Sequence, residues 1–179
     1  MVLDVFETKD GRRVIIRSII LSDISRVNEF LYFLNSLIKE GAYIAFNRKR
    51  NFEEEKKSVM KWIDNHGKEE FHIVVECDGK IVGKGEFGRL KEVSNHVAEV
   101  GISLLKEYRG LGIGRIMLKY LIMAARKTDL KYLKLHVFAK NKRAITLYKQ
   151  EGFKEYGRLP KQGKFKDKFV DEIVMLKKL

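Results

Sequence analysis

The segment from Val97 to Ala124 constrains this chain more than any other. A run of strand-forming residues, Val97 to Leu105, leads into Tyr108-Arg109-Gly110-Leu111-Gly112-Ile113-Gly114-Arg115, and Ile113, Ile116, Met117, Tyr120, Leu121 and Ala124 then recur at helical spacing. A strand that turns directly into a helix leaves the first helical N–H groups without partners, and glycines let a phosphate reach that backbone because no Cβ intervenes. The turn therefore favours a pyrophosphate. Two commoner phosphate motifs do not fit. Gly79 to Gly83 is one residue short of the Walker spacing and Lys84 is followed by Gly85, while Gly110 and Gly112 lack the third glycine of a dinucleotide fingerprint, since position 115 is Arg115.

The rest of the chain reads as one unit. At 179 residues it suits a single domain spanning 1–179, with no repeat, no low-complexity tract and a lone proline, Pro160. Val2 to Phe6 and Val14 to Ile19 flank an Asp10-Gly11 turn. Ser22 and Asp23 start a helix along Ile24, Val27, Phe30, Leu31, Leu34 and Ile38 to Gly41, and Asn51 caps a second, with Glu53 to Glu55 at its positive end and Val59, Trp62 and Ile63 inward. Phe71 to Glu76, Ile81 to Leu90 and Val97 to Leu105 make an antiparallel meander. After the glycine-rich helix come a strand at Tyr132 to Phe138, a helix at Asn141 to Glu151 and a closing pair, Phe153 to Leu159 with Phe169 to Leu176. The expected fold class is α/β, a mixed and mostly antiparallel central sheet flanked by about four helices.

Composition narrows the partners. Residues 1–104 carry 17 basic and 17 acidic side chains and residues 105–179 carry 20 and 7, so the whole excess of +13 lies in the second part. That asymmetry points to a polyanion, whether nucleic acid, membrane surface or phosphorylated cofactor. No apolar run is long enough to span a bilayer, the N-terminus does not read as a secretory signal, and a single cysteine, Cys77, fits a reducing cytoplasm. Cys77 reads as a strand-end residue. His66, His72, His96 and His136 fall in no zinc-ligand spacing, and no metal is expected.

A second motif follows in order: Asn141-Lys142-Arg143-Ala144-Ile145-Thr146-Leu147-Tyr148, then Glu151-Gly152-Phe153. Asn141 is a good N-cap, and Ala144, Leu147 and Tyr148 share a helix face, which by itself also fits plain core packing. With Arg109-Gly110-Leu111-Gly112-Ile113-Gly114, this segment resembles the GNAT superfamily of acetyl-CoA-dependent N-acetyltransferases from about Phe71 onward. The N-terminal helices and the Gly-Arg-Leu-Pro segment before the final hairpin look closest to phosphinothricin-type and spermidine-type members. One departure is Lys106, where many members have proline.

The resemblance implies acetyl-CoA as acetyl donor. Cofactor contacts would fall to Ile102 and Leu104 along the strand, to Arg109, Gly110, Leu111, Gly112, Ile113, Gly114 and Arg115 at the turn, and to Asn141. Tyr148 would protonate the departing sulfur, and backbone N–H groups from Val100 to Leu104 would stabilise the oxyanion. An attacking amine of pKa near ~10.4 is only about 0.04% neutral at pH 7, so a base is needed. The resemblance puts Glu99 first and Glu86 second. The expected acceptor is a small primary amine, with a protein N-terminus or lysine as the variant; a homodimer is left open. A noncatalytic nucleic-acid module competes on charge alone, but the basic residues are interspersed on elements rather than gathered in a tail.

Overall fold

The structure, a computed structural model, describes residues 1–165 and 168–179. Gly11, at φ 81°, makes the turn that folds β1 (Val2–Glu7) back on β2 (Arg13–Ser18). A 3-10 segment at Leu21–Arg26 leads into α1 (Val27–Glu40), which Gly41 ends at φ 70°. The helix proper thus starts later than Ser22-Asp23 signals, because the Asp23 carboxylate is drawn inward, accepting from Arg17 Nη1 and Nη2 at 2.8 and 2.7 Å and from the Ile20 amide at 2.9 Å. The inward face of α1 is Val27, Phe30, Phe33, Leu34 and Leu37, so Leu31 and Ile38 stand at its flanks. Asn51 caps α2 (Phe52–Asn65), its side chain accepting from the Glu54 amide at 2.9 Å.

β3 (Glu70–Cys77), β4 (Lys80–Arg89) and β5 (Val97–Leu104) form the expected meander. Then come α3 (Ile113–Arg126), β6 (Tyr132–Phe138), α4 (Lys142–Gln150), β7 (Lys154–Phe165) and β8 (Lys168–Lys178). Among the described residues the strands form one eight-stranded sheet in the order β1-β2-β3-β4-β5-β6-β8-β7. All pairs are antiparallel except β5 with β6. β7 runs past Pro160 because the register slips between Leu159 and Gly163, with Lys161 at φ 54°; such a bulge accommodates a residue that cannot donate to the ladder.

The sheet is covered on both faces. On one, α3 packs Ile113, Met117, Leu118, Leu121, Ile122 and Ala125 against Val75, Val100, Leu133, Leu135 and Met175. On the other, α1 and α2 cluster Phe30, Phe33, Leu37 and Val59 over Val74 and Ile81. Burying that many apolar side chains, at about 1.5–3 kcal/mol each, supplies the main driving force for the fold.

The break in the sheet positions the site. Among the described residues, β5 and β6 pair only at Val97↔Tyr132, Ala98↔Leu133 and Glu99↔Lys134, although β5 continues to Leu104 and β6 to Phe138. Beyond that point β5 has no strand on its β6 side among the described residues, and a cleft opens between them.

Candidate active site

The cleft has a volume of about 1170 Å³. That exceeds the ~300–1,000 Å³ usual for a small-molecule site and leaves room for a long ligand and a second reactant. One end is the glycine-rich turn. Gly110 and Gly112 have φ of 86° and 84°, a left-handed backbone that glycine takes without strain, and Gly112 is the N-cap of α3. Lys106, in place of a stiff proline, opens a 3-10 turn closed by Tyr108 N–H to Leu105 O at 3.0 Å and Arg109 N–H to Lys106 O at 3.2 Å. Among the described residues, the amides from Gly110 to Gly114 donate to no group of the chain. They form a cradle at the positive end of a fourteen-residue helix, the arrangement a pyrophosphate needs.

The sequence-derived residues divide by what they offer this cleft. Ile102, Leu104, Arg109, Gly110, Gly112, Gly114, Arg115, Asn141, Tyr148 and Glu99 all line it. Leu111 and Ile113 do not; Ile113 is fully buried in the core, so its side chain offers the cleft nothing. Arg109 spends its side chain within the chain, donating from Nε to Leu104 O at 2.8 Å and pairing with Glu40. Arg115 likewise pairs with Glu151 at 2.7 Å. Asn141 serves two ends: its Oδ1 accepts from the Ala144 amide at 3.3 Å as the cap of α4, which leaves Nδ2 as a donor.

Tyr148 is buried, its ring 5.9 Å from Phe153 in an edge contact, and it lines the cleft. Burial pushes this phenol up to about 12, so it stays protonated across the neutral range. Such a group is a hydrogen-bond donor at neutral pH.

The opposite end of the cleft is richer in ionisable groups than sequence reasoning anticipated. Glu99, half-exposed, lies 3.4 Å from Lys134 Nζ. Glu86 pairs with Lys84, whose ammonium sits 3.7 Å above the Trp62 ring. Arg50 reaches Ser58 Oγ at 2.8 Å and the buried Glu55 carboxylate at 3.4 Å, and burial pushes the Glu55 carboxyl up. His136 and Glu172 are joined at 3.0 Å between Nδ1 and Oε2. Sequence reasoning weighed His136 only as a metal ligand. The available signal was the alternation of β6: Leu133, Leu135 and Val137 are buried against α3, which turns Lys134, His136 and Phe138 to the cleft face. Arg143 was missed as well. Its guanidinium lies against the glycine turn, 3.3 Å from where a Cβ on Gly110 would stand.

Comparisons with known proteins agree with this geometry. An N-alpha-acetyltransferase of Sulfurisphaera tokodaii is 36% identical over 93 residues, covering 46% of this chain and 56% of that protein, so the match spans little more than half of its length. The crystal structure of a GNAT-family acetyltransferase from Streptococcus pneumoniae superposes with a TM-score of 0.81 at 23% identity, covering 93% of this chain and 99% of that one. A phosphinothricin acetyltransferase from Sinorhizobium meliloti, solved in complex with acetyl-CoA, has the same fold at a TM-score of 0.81 and 16% identity, covering 93% and 88%. Residues 32–153, which include the glycine turn, the split strands and the Tyr148 helix, match the acetyltransferase (GNAT) family as a whole, and the chain belongs to that family.

Proposed function

We propose that this protein transfers the acetyl group of acetyl-CoA to the primary amine of a small molecule by direct attack. The observation that carries the choice of acceptor is an aromatic bridge at the cleft's polar end. Tyr43, on the connection after α1, packs 5.0 Å from Phe165 of β7 and 6.3 Å from Phe138 of β6, and Phe138 and Phe165 are 4.7 Å apart. Side chains that join the α1–α2 connection to the final hairpin across the acceptor end suit a short amine better than a continuous polypeptide.

The donor's thioester supplies an activated acyl group. The chain's own residues supply the rest. The amides from Gly110 to Gly114 and the Asn141 Nδ2 anchor the donor, and the unpaired edge of β5 from Val100 to Leu104 presents N–H groups where negative charge develops on the acyl oxygen. Tyr148 donates its hydrogen bond to the departing sulfur. A phenol at about 12 lies ~3.5 units above an ordinary thiol, so in water full proton transfer would cost about 5 kcal/mol. The donor role therefore requires a leaving thiolate desolvated as strongly as Tyr148 itself. Of the basic excess of the second half, Lys106 and Arg143 line the same cleft, beside Arg109 and Arg115 that pair with Glu40 and Glu151, which favours a phosphorylated ligand over nucleic acid.

The test is a thermal melt with acetyl-CoA, followed by an amine panel read by free-thiol release. Acetyl-CoA at ~100 times its dissociation constant adds about 2.7 kcal/mol to stability and raises Tm. No shift at millimolar acetyl-CoA overturns the donor assignment. Turnover confined to peptide N-termini or lysines replaces the small amine with a protein acceptor.

A further inference from the structure

From the cleft's cross-strand geometry we infer that the His136–Glu172 pair is the proton acceptor for the attacking amine, a role the sequence reading gave to Glu99. The inference deepens the acetyltransferase reading and rests on it. Its first support is register. The last paired residues of β5 and β6 are Glu99 and Lys134; two positions further along each strand are Gly101 and His136, so His136 stands across the split from the β5 edge where the acyl group is held. The second is the hydrogen bond. Glu172, from β8, holds Nδ1 at 3.0 Å; with the proton on Nδ1, Nε2 keeps its lone pair for the cleft, which both residues line. The third is the competition. Glu99 is half-exposed and faces Lys134, and Glu86 is taken by Lys84, so both carboxylates already have ammonium partners.

Proton affinity points the same way. As a class, imidazoles are stronger bases than carboxylates and so take a proton from an ammonium against a smaller difference. In the step itself one ammonium proton goes to His136 Nε2, the freed nitrogen lone pair bonds to the acyl carbon, the carbon–sulfur bond breaks, the thiolate takes a proton from Tyr148 or solvent, and the second proton shed by the nitrogen as it becomes an amide returns to Tyr148 or to solvent. Glu172 stays ionised and steadies the imidazolium.

The experiment compares wild type with His136→Gln, His136→Ala and Glu172→Gln, each checked for folding by circular dichroism. The His136 variants should lose about 10²-fold or more in kcat/KM for the amine. Their acetyl-CoA affinity, by calorimetry, should stay within about twofold, and the acidic limb of the pH profile should disappear. Glu172→Gln should lose less and move that limb. In the protein without donor, nitrogen NMR of the imidazole should show the Nδ1–H tautomer in wild type and lose it in Glu172→Gln. A His136→Gln enzyme with wild-type rate and pH profile, or a wild-type ring in the Nε2–H tautomer, overturns the assignment. If wild type neither binds acetyl-CoA nor acetylates any amine, it is the underlying acetyltransferase reading that fails.

Discussion

Tyr148 and Gly112 show how one substitution separates chemistry from packing. Tyr148→Phe keeps the ring and its edge contact with Phe153 and removes only the hydroxyl. If that hydroxyl meets the leaving sulfur, kcat falls about 10²–10⁴-fold while acetyl-CoA affinity holds, and single-turnover measurement of acetyl transfer checks it free of product release. An unchanged chemical rate removes Tyr148 from the mechanism. At Gly112 the reason for glycine is conformational. A Cβ there would meet nothing within 4 Å, but φ is 84°, which a β-branched residue avoids. Gly112→Val should therefore weaken acetyl-CoA binding by re-aiming the amides of the turn, with the fold intact by circular dichroism; calorimetry showing wild-type affinity in a folded variant would mean the turn is not the cradle.

At the level of elements, what could be read from the chain was what neighbouring residues dictate to each other. The strand-turn-helix of β5 and α3, the Asn51 and Asn141 caps and the glycine-terminated helices depend on contacts within a few positions, and they stand as read. What escaped depends on which strands lie side by side. His136 and Glu172 are 36 residues apart and meet only because β8 pairs antiparallel with β6. Arg143, on the first turn of α4, reaches Gly110 because the split sheet lets α4 approach α3, and periodicity along one helix carries no trace of that. The position of Arg143 also predicts a loss. An exposed guanidinium on a phosphate contributes about 1 kcal/mol after screening, so Arg143→Ala should weaken acetyl-CoA binding about fivefold, less at high salt. A phosphate-free acyl-pantetheine donor should be used equally well by variant and wild type; an equal loss with that donor would move Arg143 away from the phosphates.

The whole molecule carries a buried base whose titration should set how it meets acid. His72 of β3 is almost wholly buried beneath Trp62, its Nε2 2.6 Å from Glu70 Oε2, while its Nδ1 has no partner among the described residues. This is the pattern of a neutral ring that donates from Nε2 and keeps a bare lone pair on Nδ1. Burial, reinforced by the nearby Lys84 charge, outweighs Glu70 and Glu86 and lowers the group to about 4. The sign follows from the depressed value. An unfolded histidine near ~6.5 binds its proton more readily than the folded one, so the stability due to His72 is present in full above that pH and is lost as the pH falls towards about 4. The carboxylates held low by partners, Glu29, Glu54 and Glu70, lose their contributions only below that window, and Glu55, pushed up by burial, acts in the opposite sense. Between pH 7.5 and pH 5, His72 by itself contributes a loss of about 2 kcal/mol, and His66, also lowered by burial, adds to it in the same sense. His72→Gln keeps a donor for Glu70 and cannot titrate. Urea unfolding of both proteins at the two pH values should show wild type losing about 2 kcal/mol more than the variant, whatever the variant's stability at pH 7.5. Parallel losses would mean that His72 is already protonated in the folded protein, with Glu70 rather than burial controlling its charge.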